Sequence, residues 1–131
     1  MDNKNHIIRF TFYLSIILLL VIYLFPGSLI GYLLYGDFSK QLHLLKNPIG
    51  TSINHFICFF YLSTIGFIGY SKGKKFKKLV VFLFSLSVIL EILHTIIPER
   101  SFEYLDLIAN MSGVLLGYYI IKISKIWIKY E

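Results

Sequence analysis

Residues 7–25, IIRFTFYLSIILLLVIYLF, decide the fold: the stretch holds a single charged side chain, Arg9, and neither proline nor glycine. A helix rising ~1.5 Å per residue needs about 20 apolar residues to cross ~30 Å of hydrocarbon, and this stretch is of that length. Lipid offers no water to an open backbone, so a segment of this kind must be helical. Lys4 and Arg9 at its start could suggest a secretory leader. Its apolar run, however, exceeds the usual ~7–15 residues, and Pro26-Gly27-Ser28 makes no convincing small-x-small cleavage site. The stretch reads as a retained first span.

Outward from it, three further apolar stretches follow at about 53–70, 79–97 and 105–121. The composition agrees: 56% of the residues are hydrophobic and 15% charged, where a soluble domain carries about a quarter charged. The expectation is a single all-α domain over 1–131, a membrane four-helix bundle. Lysine and arginine counts orient it. Ten lie at the N-terminal end (Lys4, Arg9), in the loop from Lys72 to Lys78 and in the tail (Lys122, Lys125, Lys129), against three at Lys40, Lys46 and Arg100. The positive-inside rule then puts both termini and the lysine loop in the cytoplasm. The formal charge of +6 is explained by these flanking lysines, so no nucleic-acid partner is expected. One cysteine, Cys58, excludes an intrachain disulfide and any Cys-rich metal site, and reads as a small filler on a helix.

The outer side has one long connection, 26–52, and one tight turn around Pro98-Glu99-Arg100-Ser101. The long loop is apolar, with Leu29, Ile30, Tyr32, Leu33, Leu34 and Tyr35, and later Leu42, Leu44 and Leu45. Such a segment is expected to lie in the membrane interface as one or two short helices broken at Gly36-Asp37. His6 and His43, in a terminal tail and a loop, are expected in solvent, and Tyr118, Tyr119 and Trp127 as interfacial anchors.

Ionisable side chains inside a span cost at least ~2.5–3.5 kcal/mol each, and several stand in these stretches. Glu91 lies seven residues before Pro98, which on a continuous helix is ~10 Å below the outer interface. His94 shares its face at i+3, and Asp106 and Asn110 share a face at i+4 in the fourth span. Gly113 and Gly117 continue that stripe with the small-xxx-small spacing that lets helices approach closely. His55 stands at the outer end of the second span, and Arg100 in the turn. A tight hairpin sets Glu91 and His94 opposite Asp106 and Asn110, with Arg100 above and His55 alongside. Glu91, Arg100 and Asp106 can also form a paired network that holds one hairpin together, with no ligand.

The run from Glu91 through His94, Pro98, Arg100, Asp106, Asn110 and Gly113 to Gly117 resembles the signature of VanZ-like membrane proteins. In that family a Glu precedes a Pro/Arg turn and an Asp-x3-Asn-x2-Gly-x3-Gly helix. His55-Phe56 resembles its second span, so the likeness covers about 51–121, and the first span carries no diagnostic residue. The family commonly has Gln at the position of His94, and an Asp-Lys pair where this chain has Thr51 and Ser52. The resemblance implies a bacterial cell-membrane protein, and its founding member is linked to low-level resistance to teicoplanin, a glycopeptide with a lipid tail.

From these residues the leading expectation is a binding protein. His55, Glu91, His94, Arg100, Asp106 and Asn110 would hold the polar head of a lipid, a lipid-linked wall precursor or an acylated glycopeptide, Arg100 contacting phosphate or carboxylate. The alternative is a membrane enzyme on a lipid-linked substrate, with Glu91 as general base and His94 or Asp106 as further catalytic candidates. A metal version would use His55, His94 and a carboxylate, but no compact metal motif supports it, so neither metal nor cofactor is expected. With one carboxylate pair in the outer half and no matching polar residues in the inner half of any span, a transport path is disfavoured. A homo-oligomer through the Gly-lined face is a further expectation.

Overall fold

The computed structural model describes residues 3–42, 50, 52–70 and 73–127. His43, Leu44, Leu45, Lys46, Thr51, Lys72 and Lys129 lie outside the described residues. Among the described residues the chain is all-helical: α1 (Asn3–Leu24), α2 (Leu29–Tyr35), α3 (Ser52–Gly69), α4 (Gly73–Leu93) and α5 (Tyr104–Trp127), with no strand. The N-terminal residues around His6 are part of α1 and not a tail, although His6 itself is exposed as expected.

Helix ends follow local chemistry. α1 stops at Leu24 because Pro26 disfavours a helical conformation at the residue before it. Ser28 caps α2 by accepting the Gly31 N–H at 2.9 Å, and Gly36, left-handed at φ 69°, closes it with its N–H on the Tyr32 carbonyl. The loop therefore holds the expected short helix, broken where Gly36-Asp37 stands. The Tyr32 and Phe38 rings stack 4.1 Å apart and fold the segment back on itself. Tyr32, Leu33, Leu34 and Tyr35 remain exposed along α2. Beside them, Ser39 donates to Asp37 from its N–H and its hydroxyl, holding that carboxyl below its ordinary value.

α3 lies between α5 and α1, and α4 packs mainly on α5. Glycines set the closest approaches. A Cβ on Gly113 of α5 would lie 2.5 Å from the Phe56 carbonyl oxygen and 2.8 Å from the Phe60 nitrogen of α3, while one on Gly117 would collide with Ser63 Oγ. The small-xxx-small face is thus filled by the chain's own α3. At the other end of the helices Arg9 donates to the Gly69 carbonyl at 2.9 Å and lies over the Tyr70 ring, closing the C-terminus of α3. Tyr118 belongs to an aromatic cluster with Phe67 and Phe76, whereas Tyr119 is exposed.

Polarity is inverted relative to a water-soluble protein. Glu91, Asn110, Ser63 and Ser87 are buried, while Phe10 and Ile17 of α1, Tyr61 of α3, Val81 and Ile92 of α4, and Ile108 of α5 are exposed. An apolar exterior of this extent needs an apolar surrounding. Three stretches, Asn5–Leu24, Ser52–Gly69 and Tyr104–Ser124, are long and apolar enough to cross a membrane. α4 differs from the expected span 79–97: the helix ends at Leu93, and lysines fill its first turns. His94, Thr95 and Ile96 instead bond back three residues, a tightened turn that Pro98 cannot extend. Glu91 therefore sits two residues from a helix end, and its burial comes from neighbouring helices rather than from depth along α4.

Candidate functional site

The polar residues that the sequence singles out meet where α3, α4 and α5 converge. Glu91 is 0% exposed and Asp106 5%. His55 lies between them, its Nδ1 3.8 Å from Glu91 Oε2 and its Nε2 3.4 Å from Asp106 Oδ2. His94 Nδ1 is 3.5 Å from Glu91 Oε2. Asn110 directs its amide nitrogen toward Glu91 Oε2 and the Ser87 carbonyl, both at 3.5 Å.

Each carboxylate is gripped by one oxygen. Glu91 Oε1 accepts the backbone N–H of Glu103 at 3.0 Å, the residue before the first turn of α5. Asp106 Oδ1 accepts the hydroxyl of Ser52, the first residue of α3. Both acidic groups thus stand at the N-terminus of α5, where unpaired N–H groups and the helix dipole favour negative charge. The other oxygens, Oε2 and Oδ2, are the ones turned to His55.

Arg100 stands elsewhere than on the carboxylates. Its Nη2 donates to the Ile22 carbonyl at 3.0 Å and its Nε to the Phe25 carbonyl at 3.4 Å, closing the C-terminal end of α1. Burial pulls its guanidinium below the ordinary value, partly offset by Tyr23, Glu91 and Asp106 nearby. Gly113 and Gly117 lie further along α5 and serve the α3 contact only.

Two residues of the site escape the sequence pattern. Tyr23 of α1 is buried, its hydroxyl donating to Asn110 Oδ1 at 3.2 Å and its ring stacked on His94 at 5.8 Å. His94 Nε2 bonds the Tyr23 carbonyl at 3.1 Å; a carbonyl only accepts, so that nitrogen carries the proton. Ser52 is the other, a neutral donor on Asp106. A tyrosine at the end of an apolar span reads as an anchor and a serine as a cap, so neither gives a distinctive signal.

Two cavities adjoin the cluster. One, of about 40 Å³, is walled almost wholly by polar atoms, from residues including Gln41, His55, His94, Arg100 and Asp106. The second, of about 80 Å³, shares Gln41, His55 and Arg100 and runs under α2 past Leu29, Ile30 and Leu42. Cys58, on the exposed face of α3, lines it too.

A protein-family model described as VanZ/LLP1 matches residues 10–126. No curated protein and no solved structure matches the chain. The matched region takes in α1, and with it Tyr23.

Proposed function

Since the chain belongs to the VanZ-like family it is a membrane protein, and we propose that it crosses the bilayer four times with both termini in the cytoplasm. α4 supports the fourth crossing, because Val81, Phe82, Ile89 and Ile92 are exposed along it and suit hydrocarbon. The four long helices then form one transmembrane domain of a bacterial cell membrane. α2 lies in the outer interface with Leu33 and Leu34 toward lipid.

At the outer end the protein binds the anionic or polar head of a lipid, a lipid-linked wall precursor or the acylated glycopeptide teicoplanin. In doing so it contributes to envelope homeostasis or teicoplanin tolerance. The observation that carries this reading is the polar cavity set beside a more apolar one, with His55, Gln41 and Arg100 common to both. A head group finds donors in the first, and an acyl chain finds Leu29, Ile30 and Leu42 in the second. A guanidinium has five N–H donors, and its two bonds to α1 leave others for a phosphate or carboxylate. If copies of the chain associate, they use a face other than the glycines that α3 covers.

The test is expression in a susceptible Gram-positive host. Tolerance to teicoplanin rises, and tolerance to vancomycin, which has no acyl tail, rises less. Glu91→Gln and Asp106→Asn remove charge while keeping shape, and abolish the effect at unchanged membrane abundance. Full protection from both variants would leave the cluster with a structural role alone.

A further inference from the structure

Two buried carboxylates need a counter-charge, and among the described residues no lysine or arginine lies within ion-pair distance of either. Among the described residues the groups within ion-pair distance of Glu91 and Asp106 are the imidazoles of His55 and His94. Arg100 is turned to the carbonyls of Ile22 and Phe25. Charges withdrawn from water are ordinarily paired or bound to a metal ion, and the α5 dipole supplies only about half a charge.

His55 adds an independent observation. Its side chain is 10% exposed, it lies between the two carboxylates, and its Nδ1 is buried with no hydrogen-bond partner. A lone pair on a buried imidazole that no donor satisfies is what a metal ligand looks like before its ion arrives. One nitrogen of His55 and one oxygen each of Glu91 and Asp106 lie within 4.8 Å of one another. Ligands bound at ~2.1 Å to a tetrahedral ion stand about 3.4 Å apart, so the three would draw inward by up to about 1.4 Å on binding. His55 Nδ1 and Glu91 Oε2 already stand 3.8 Å apart.

The surroundings fit. Ser52 and the Glu103 N–H each hold the oxygen of a carboxylate that faces away from His55, which fixes the other oxygen in place. Such outer hydrogen bonds are the usual support of a metal's ligands. The set whose ligand atoms lie within 4.8 Å of one another is His55, Glu91 and Asp106, without His94.

We propose that His55, Glu91 and Asp106 bind one divalent transition-metal ion, zinc by preference, with its remaining coordination position open to the polar cavity. Imidazole with two carboxylates suits zinc, with manganese and cobalt as weaker occupants. The cavity of about 40 Å³ has room for about three waters, one of them on the metal. Three protein ligands and an open position are the arrangement of zinc sites that receive an exogenous ligand. The ligands come from three helices, which is why no compact motif marks them. This proposal does not depend on which head group, if any, the pocket takes.

Its test uses the full chain, purified in detergent with a tag that contains no histidine, stripped with EDTA and reloaded with zinc chloride or cobalt chloride. The wild type retains about one ion per chain after desalting, read by elemental mass spectrometry, and cobalt gives visible absorption bands of a low-coordinate site. Asp106→Asn and His55→Gln lose the ion and the bands. Ser52→Ala, which leaves every ligand in place, weakens zinc binding by roughly 10–100-fold. His6→Ala, at an exposed position, changes nothing. A wild type that retains neither zinc nor cobalt overturns the proposal, and so does an ion that survives His55→Gln and Asp106→Asn in folded protein. Either result leaves the teicoplanin experiment unaffected.

Discussion

Glu91 Oε1 accepts the backbone N–H of Glu103 at 3.0 Å, so a side chain in the last turn of α4 completes the first turn of α5. The two helices are joined there by an acidic group acting as an acceptor. Substitution at this position separates shape from charge. Glu91→Ala leaves the Glu103 N–H and the Asn110 amide short of an acceptor, at a cost of about 1–3 kcal/mol. Glu91→Gln keeps an oxygen for Glu103 and costs less. Thermal unfolding in detergent should rank the melting temperatures wild type, Glu91→Gln, Glu91→Ala. Equal melting of Ala and Gln would show that the cap contributes nothing.

The α3–α5 contact gives a second prediction. Gly113→Ala drives a Cβ onto backbone atoms of Phe56 and Phe60, which cannot turn aside, and costs about 1–3 kcal/mol. Gly117→Ala meets Ser63 Oγ, which can be removed. Ser63→Ala should therefore recover part of the stability lost in Gly117→Ala and none of that lost in Gly113→Ala. A double-mutant cycle with no coupling between positions 63 and 117 would refute this geometry.

Arg100 anchors α1 from a distance of more than seventy residues in the chain. Arg100→Lys exchanges a planar fork for a point charge, which cannot reach the Ile22 and Phe25 carbonyls together. The expected loss is about 1–2 kcal/mol, with α1 more open to proteolysis near its C-terminal end. Unchanged protease sensitivity at residues 24–27 would count against it.

The orientation proposed for the chain is tested by reporter fusions. Fusions after Lys74, after Ser101 and at the C-terminal end should read inside, outside and inside. An extracytoplasmic reporter active at Lys74 reverses the assignment.

The sequence carried the helices because hydrophobic runs of spanning length have few alternative structures. It also carried four members of the cluster, since Glu91 with His94 at i+3 and Asp106 with Asn110 at i+4 are brought together by spacing, the first pair across the turn that ends α4. What it could not carry were partners whose meaning depends on other elements. Tyr23 reaches Asn110 across 87 positions, and its hydroxyl looks the same in a sequence whether it faces head groups or a carboxamide. Arg100 was expected above the cluster, on a ligand's phosphate or carboxylate or in a paired network with Glu91 and Asp106. The unpaired carbonyls at the end of α1, which hold it instead, are backbone groups with no residue type to announce them. α4 reads as running to Ile97, yet the turn at His94, Thr95 and Ile96 closes it earlier.

The assembly of the site from α1, α3, α4 and α5 has a consequence for biogenesis. Glu91 leaves the ribosome before Glu103, Asp106 and Asn110 do. At that moment an acidic helix end has His55 and Tyr23 at hand but neither its capping N–H nor its carboxamide neighbour. The α4 segment is therefore a poor candidate for stable insertion by itself, and favourable burial of Glu91 awaits emergence of α5. Truncation before Tyr104 would strand a half-satisfied carboxylate at the bilayer, the kind of flaw by which membrane quality control recognises an unfinished protein.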